Sequence, residues 1–197
     1  MTEKTNTNLI RKWNINDNKY PEAFKLPKDQ EIVFFCIGTD KSTGDSLGPF
    51  IGSKLKEAGI SNVYGTIEDP IHAVNIEEKL CLINYLHPKA LFIAIDSALT
   101  DDIEKNPKGT IKFKHGKITP GSAISRVLPS VGELRITGTI GELTTNEIFN
   151  SITIQNTRLN LIIKMANSIA HFLLDSLDLN AYKNLKLERR SIYAFAM

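Results

Sequence analysis

The sequence of 197 residues has little of the material from which several specialised protein classes are built. Its two cysteines, Cys36 and Cys81, are too few for a disulfide framework or a thiolate zinc site. No apolar run approaches the roughly 18 residues that cross a bilayer, and the N-terminus lacks the apolar core of a signal peptide. We therefore expect a cytoplasmic protein whose two thiols are buried and reduced.

The chain also lacks an excess of charge of either sign. It has 24 Lys and Arg against 22 Asp and Glu, for a formal net charge of +2. Such a balance creates no strong field for nucleic acid, an anionic membrane or an acidic substrate. We therefore expect neither nucleic acid nor membrane as a partner. The oligomeric state is not readable from these numbers.

What is present is enough apolar sequence, 42% of the residues, for one sizeable core. Residues 1–29 are polar, and we interpret them as an arm with one short helix packed on the domain. Residues 30–178 carry the apolar patterns and form the predicted α/β domain. Residues 179–197 form a C-terminal tail, whose basic residues we interpret as solvated.

Alternating strand and helix patterns predict the fold. Continuous apolar runs at Glu31–Ile37 and Ala90–Ile95 are typical of strands buried on both faces. Between them, helical spacing predicts helices over 47–58 and 75–87, with a weaker strand at 62–67. This order predicts a doubly wound, mostly parallel sheet with helices on both faces.

Further elements follow in the second half of the chain. Strands are predicted near 110–114 and at 133–140, on either side of a turn-rich segment. Apolar residues at helical spacing from Leu159 to Leu177 predict a long terminal helix. We interpret its apolar stripe as facing the core.

Two aspartates follow neighbouring strands of the predicted sheet. Asp45 ends the loop after the strand at 31–37, and Asp96 immediately follows the strand at 90–95. In an open α/β sheet, ligands bind beyond the carboxyl ends of the strands, where the strand order reverses. A strand order of 2-1-3 would bring the two carboxyl groups together in that crevice.

The residues alone leave the role of this pair open. Two close carboxyl groups can share a proton and act as general base and general acid on a water molecule. They can also bind a divalent cation through oxygen. Alternatively, Asp45 caps the following helix and Asp96 merely ends a strand.

The sequence gives weaker evidence for other kinds of functional site. The loop Gly38–Gly44 lacks the spacing of a phosphate-binding loop, and Asp45 would repel a phosphate there. The four histidines show no metal-ligand spacing; His72 could approach the crevice, but we favour a solvent-facing loop position for it. Ser42 and Ser97 lie nearby, with no histidine obviously placed to activate them. We expect neither cofactor nor metal.

A set of ordered motifs resembles the YyaC-type sporulation protein family. The two main ones are CIGTDKSTGDSLGP at 36–49 and IAIDSAL at 93–99. Shorter matches are Lys117–Ser122, Leu128–Gly132, Ile136–Gly138 and Gln155–Leu159. The resemblance runs from about residue 31 to residue 175.

This family is similar to the germination protease and to the hydrogenase maturation proteases. The resemblance implies a three-layer α/β/α fold in which Asp45 and Asp96 are catalytic. It also implies a protein or peptide substrate, with small acid-soluble spore proteins as candidates, and a location in the forespore or spore core. No histidine stands in a motif matching the nickel ligand of the hydrogenase maturation proteases. The resemblance therefore does not imply a nickel site here.

We expect substrate to be held by the loops around the two aspartates, where glycine allows its close approach. The candidate substrate-binding residues are Gly38, Thr39, Gly44, Ser97, Pro120 and Gly121. The sequence thus predicts an endopeptidase that uses an aspartate pair. The alternative is a non-catalytic sporulation factor of the same fold that binds a peptide or protein in the crevice.

Overall fold

The computed structural model describes residues 9–17, 21–121 and 128–177. The strands are β1 (Leu9–Asn14), β2 (Ile32–Cys36), β3 (Val63–Tyr64), β4 (Leu91–Thr100), β5 (Thr110–His115) and β6 (Leu134–Glu142). The helices are α1 (Leu47–Glu57), α2 (Ile76–Leu86), α3 (Glu147–Gln155) and α4 (Leu159–Ser176). A short 3-10 turn, Gly44–Ser46, leads into α1.

The strands form a six-stranded mixed sheet in the order β1-β5-β6-β4-β2-β3. β2 pairs in parallel with β3 and with β4, and β4 pairs in parallel with β6. The strands β1 and β5 extend the sheet in antiparallel pairing. The first three strands of the α/β unit thus have the 2-1-3 order that would bring Asp45 and Asp96 together.

Helices cover both faces of the parallel half. Leu47 and Ile51 of α1 share one buried core with Ile162 and Ile169 of α4. Ile76 and Ile83 of α2 belong to a second buried core on the other face. Because side chains alternate along a strand, β2 supplies Phe34 to the first core and Phe35 to the second. The predicted three-layer α/β/α fold is confirmed.

The N-terminal arm differs from its prediction. Its described residues form the edge strand β1 and no helix, so the expected short helix is not found in 9–17 or 21–29. Trp13 anchors this strand: its ring lies 5.0 Å from that of Phe172, and its indole N–H donates to Ser168 Oγ at 2.8 Å. One buried aromatic side chain thus outweighs the polar composition around it.

Three smaller expectations are corrected. Cys36 is buried as predicted, but Cys81 is exposed, because its position on α2 faces solvent. A serine directly before a helix predicts an N-cap, but the Ser46 hydroxyl donates to Thr43 O at 2.6 Å and does not cap α1. β4 continues through Asp96 to Thr100, because β6 pairs with it over that length.

No helix in the described part of the chain has the length and apolar character needed to span a bilayer. The C-terminal tail, with its basic residues, lies outside the described residues.

Candidate functional site

A cavity of about 500 Å³ opens beyond the carboxyl ends of β2 and β4. Asp45 and Asp96 both line it, together with His72. This is the position that the strand order predicts, because β2 ends beside β4 while β4 runs on. The cavity volume falls within the range of pockets that bind small ligands.

A close backbone approach positions Asp45. Gly38 adopts φ +138°, and a Cβ atom built there would lie 1.8 Å from the carbonyl oxygen of Asp45. The same carbonyl accepts the N–H of Thr39 at 3.1 Å, and the Asp45 N–H donates to Ser42 O at 3.1 Å. Only glycine at position 38 therefore allows the loop to fold back and direct Asp45 to the end of the sheet.

Asp96 is held by the sheet itself. It pairs with Thr137 of β6, one residue beyond the last β2–β4 pair, Cys36 with Ile95. Its side chain is only 9% exposed, and its Oδ1 accepts the N–H of Ser97 at 2.7 Å. A carboxyl group is thus buried one position past the point where β2 ends.

The two carboxyl groups interact electrostatically. Burial raises the pKa of Asp96 well above its ordinary value, and the negative charge of Asp45 raises it further. Burial also raises the pKa of Asp45, while the charge of His72 and the backbone N–H of Thr39 lower it. Asp96 therefore keeps its proton at a higher pH than Asp45 does, so that the pair carries one proton between them over a range of pH.

His72 belongs to the site, and the solvent-facing position that we favoured from sequence is wrong. The residue is half-buried and lines the cavity beside Asp45. Its segment is fixed at the end of the sheet, because Gly38 N–H donates to Ile71 O at 2.7 Å. Asn75 holds the turn from the other side, accepting the His72 N–H at 2.8 Å and donating to Pro70 O at 3.0 Å.

The hydrogen bonds of His72 fix which ring nitrogen carries its proton. Nδ1 accepts the N–H of Val74 at 3.2 Å, so the proton of the neutral ring is assigned to Nε2. The sequence contained a cue to the position of His72, because the residue lies in the loop after the predicted strand at 62–67. In the structure His72 directly follows Ile71, which forms a bridge with Ile37 at the end of β2.

Two serines also line the cavity. The Ser42 hydroxyl is buried and has no hydrogen-bond partner within the described ranges. Neither Ser42 nor Ser97 shares a hydrogen bond with an imidazole in the described part of the chain, so no serine nucleophile is assembled there. A buried hydroxyl without a partner is uncommon in native proteins and is available to a bound molecule.

The remaining predicted substrate-binding residues divide into two groups. Gly38, Ser97, Pro120 and Gly121 line the cavity. Thr39 and Gly44 do not. Gly44 packs instead beneath α3, where a Cβ atom would lie 2.4 Å from Ile154 O.

The arrangement offers little to a metal ion. Among the described residues, no group of three or more His, Cys, Asp and Glu side chains is placed to hold one.

One wall of the cavity was not predicted from the sequence. Helix α3 contributes Ser151, Ile154 and Gln155 to the lining. Its start was readable, because Asn146 is a strong helix N-cap and its side chain accepts the N–H groups of Ile148 and Phe149. Its apolar residues do not stand out as a buried stripe, since of the helix's residues only Asn150 is buried.

Comparison with known proteins gives a family but no activity. Residues 8–172 match the model of a family described as "Protein of unknown function (DUF1256)". The chain is also 43% identical over 141 residues to the uncharacterized protein YyaC of Bacillus subtilis (strain 168), an alignment that covers 71% of this chain. The chain thereby spans 66% of that relative's length, just under two thirds. This chain belongs to the DUF1256 family and is similar to YyaC.

Proposed function

We propose that this member of the DUF1256 family is a peptidase that hydrolyses peptide bonds with Asp45 and Asp96 as its acid–base pair. One observation carries the proposal: both carboxyl groups line one cavity and lie close enough for the charge of Asp45 to raise the pKa of Asp96. Purely structural roles for a helix cap and a strand residue do not require the two groups to meet.

The different environments of the two aspartates support one assignment of their roles in this proposal. Asp96 is the more deeply buried and the more resistant to ionisation, so it is the general acid that protonates the leaving nitrogen. Asp45 ionises first and is the general base that takes a proton from water. Two carboxyl groups whose environments separate their pKa values can perform both tasks at one pH.

His72 supports Asp45 in this scheme. Its positive charge, when present, lowers the pKa of Asp45 and favours the ionised base. The Ser42 hydroxyl, buried and unpartnered among the described residues, can hold the attacking water or the substrate carbonyl. Both are positioning residues, since neither exchanges the proton that is transferred.

Candidate substrates follow from the resemblance to the germination protease, which degrades small acid-soluble spore proteins. This likeness, and the role in sporulation that goes with it, are part of the proposal. The supporting features are the motif pair around Asp45 and Asp96 and the cavity into which the fold brings them.

The test is proteolysis of small acid-soluble spore proteins by the unmodified protein and by Asp45→Asn and Asp96→Asn. Each variant should lose at least about a hundredfold in kcat, because each removes one acid–base group. Asp40→Asn is the matched control: it makes the same change five residues from Asp45, at an exposed position outside the cavity. It should cleave at the unmodified rate.

Two further measurements sharpen the result. His72→Gln should move the acidic limb of the pH–rate profile to higher pH, because Asp45 then ionises less readily. A chelator should leave the rate unchanged, because a protonated Asp96 is not a metal ligand. If the unmodified protein cleaves and both aspartate variants cleave equally well, the proposal fails. If it binds the substrates tightly without turnover, the family fold serves a non-catalytic binding factor.

A further inference from the structure

The same cavity is cationic at its other end. Lys112 and Lys114 of β5 and Arg135 of β6 line it, together with Thr137. The lysines alternate with buried Ile111 and Phe113, so their side chains point to the face of the sheet opposite that core. We name Lys112, Lys114 and Arg135 the cationic wall.

Strand register sets the distance between this wall and the aspartates. Asp96 lies opposite Thr137, and Thr137 lies opposite Lys112, so the three residues form one row across three strands. Neighbouring strands are about 4.8 Å apart, which separates the backbones at Asp96 and Lys112 by roughly 10 Å. The aspartate pair and the cationic wall therefore line the same cavity.

The charge of the wall is not cancelled by ion pairs within the described residues. In the part of the chain that the structure describes, none of its three cations forms an ion pair with a carboxylate. Arg135 donates one N–H to Lys117 O and keeps its other donors. Three unpaired cations on one cavity wall are unfavourable unless an anion joins them.

The cations also repel one another. Burial, then Lys114 and Lys12, lower the pKa of Lys112, while Asp101 and Asp102 partly offset this. Burial, then Arg135 and Lys12, lower the pKa of Lys114. Asp101 lines the cavity as well, so the wall is not free of nearby negative charge, but the two lysines still titrate below their ordinary range.

We propose that the cationic wall binds an acidic side chain of the peptide substrate, located about two or three residues from the bond held at the aspartate pair, since an extended chain advances about 3.3 Å per residue. This proposal departs from the expectation drawn from the balanced total charge, because a total charge does not show where charges cluster. Carboxylates are favoured over phosphates because Asp45, ionised in the working state, would repel a doubly charged group.

The inference depends on the proposed function only for the position of the scissile bond. Binding is therefore measured in the Asp96→Asn background, where turnover is blocked and where Asn has nearly the shape of the protonated acid. The probes are a short fluorescent peptide with two Glu residues flanking its centre and a twin in which both are Gln. Anisotropy titrations at low and moderate salt give the two affinities.

The acidic peptide should bind about tenfold more tightly than its Gln twin at low salt, with a smaller preference at higher salt. Adding Lys112→Gln and Lys114→Gln should reduce the preference to about twofold or less. The matched control adds Lys25→Gln and Lys89→Gln, which remove the same charge from exposed positions outside the cavity. It should keep the tenfold preference.

Three results would overturn the proposal. The two peptides could bind with equal affinity to the protein in which the cationic wall is intact. Alternatively, the Lys25→Gln and Lys89→Gln substitutions could abolish the preference for the acidic peptide as fully as Lys112→Gln and Lys114→Gln do. A single-stranded oligonucleotide of matched charge could also bind more tightly than the acidic peptide and lose its affinity in the wall variant, which would assign the wall to phosphates. Circular dichroism confirms that each variant is folded. A failure to cleave would count against the proposed function alone.

Discussion

The two halves of the sheet differ in how many of their faces are covered. In the parallel half, every residue of β2 is buried, because α1 and α4 cover one face and α2 the other. In the antiparallel half, β5 alternates buried residues with half-buried lysines. One half is thus a sealed three-layer core, and the other is a two-layer structure with a polar face.

This difference decides what happens to a charged side chain in each half. Asp96, at the sealed end, is pushed toward its neutral form by burial and by Asp45. Lys112, two strands away, is only half-buried on the polar face of the open half, and its pKa is lowered by burial and by the charges of Lys114 and Lys12. One cavity is therefore lined both by the aspartate pair, which shares a proton, and by the cationic wall. The difference in burial between the two halves of the sheet explains the difference in their charge.

The largest effect should come from Gly38→Ala compared with Gly116→Ala. Both glycines adopt positive φ, +138° and +101°, so alanine strains the backbone at either position by about 1–2 kcal/mol. At Gly38 the new Cβ atom would also lie 1.8 Å from Asp45 O, whereas at Gly116 nothing lies within 4 Å. Urea unfolding should show an additional loss of about 1–3 kcal/mol for Gly38→Ala alone.

Equal losses for the two variants would mean that the loop after β2 is not packed as described. Gly116 is the matched control here because it follows β5, in the half of the sheet that is open on one face.

The next effect concerns Asp96 and has a definite sign. Since folding raises its pKa, the folded state binds the Asp96 proton more strongly than the unfolded chain does. The resulting stabilisation is complete below the ordinary carboxyl pKa of about 4 and is lost as the pH rises through the raised value. Asp96→Asn removes this loss, so the variant should gain stability relative to the unmodified protein between pH 3 and pH 7.

The gain is about 1.4 kcal/mol for each pH unit that separates the folded and unfolded pKa values of Asp96. Chemical denaturation at several pH values measures it, with Asp40→Asn as the control that should show no such trend. A variant equally destabilised at every pH would place Asp96 in an ordinary structural role.

The smallest effect should be that of Lys112→Gln. Removing this charge relieves repulsion from Lys114 and Lys12 but also gives up attraction to Asp101 and Asp102. Because these two effects oppose each other, we expect the free energy of unfolding to change by no more than about 0.5 kcal/mol, on the stabilising side and most at low salt. Lys25→Gln should change nothing, and a loss above about 1 kcal/mol would show that Lys112 has a structural partner.

The sealed half was the predictable half. Continuous apolar runs at β2 and β4 have few other interpretations, and the sequence that follows each run places Asp45 and Asp96 at one edge of the predicted sheet. The end of β4 was missed, because its length past Ile95 depends on pairing with β6, which is distant in sequence.

The open half was harder to predict for physical reasons. β1 is a polar strand held by the single buried side chain of Trp13, so local pattern does not reveal it. Lys112 and Lys114 share one face of β5 because they are two residues apart, but Arg135 joins them only through antiparallel register, which no spacing along the chain records. The position of His72 in the site was predictable in part, since its loop follows the strand beside β2. No motif around His72 marks it as functional.

The most direct test of the account is the titration of the Asp96 carboxyl carbon by NMR, in the unmodified protein and in Asp45→Asn. The account predicts a midpoint well above the ordinary aspartate range in the unmodified protein, and a lower midpoint in the variant, because the charge of Asp45 is gone. An ordinary midpoint in both proteins, or a raised midpoint that Asp45→Asn leaves unchanged, would show that the two carboxyl groups do not act as a pair.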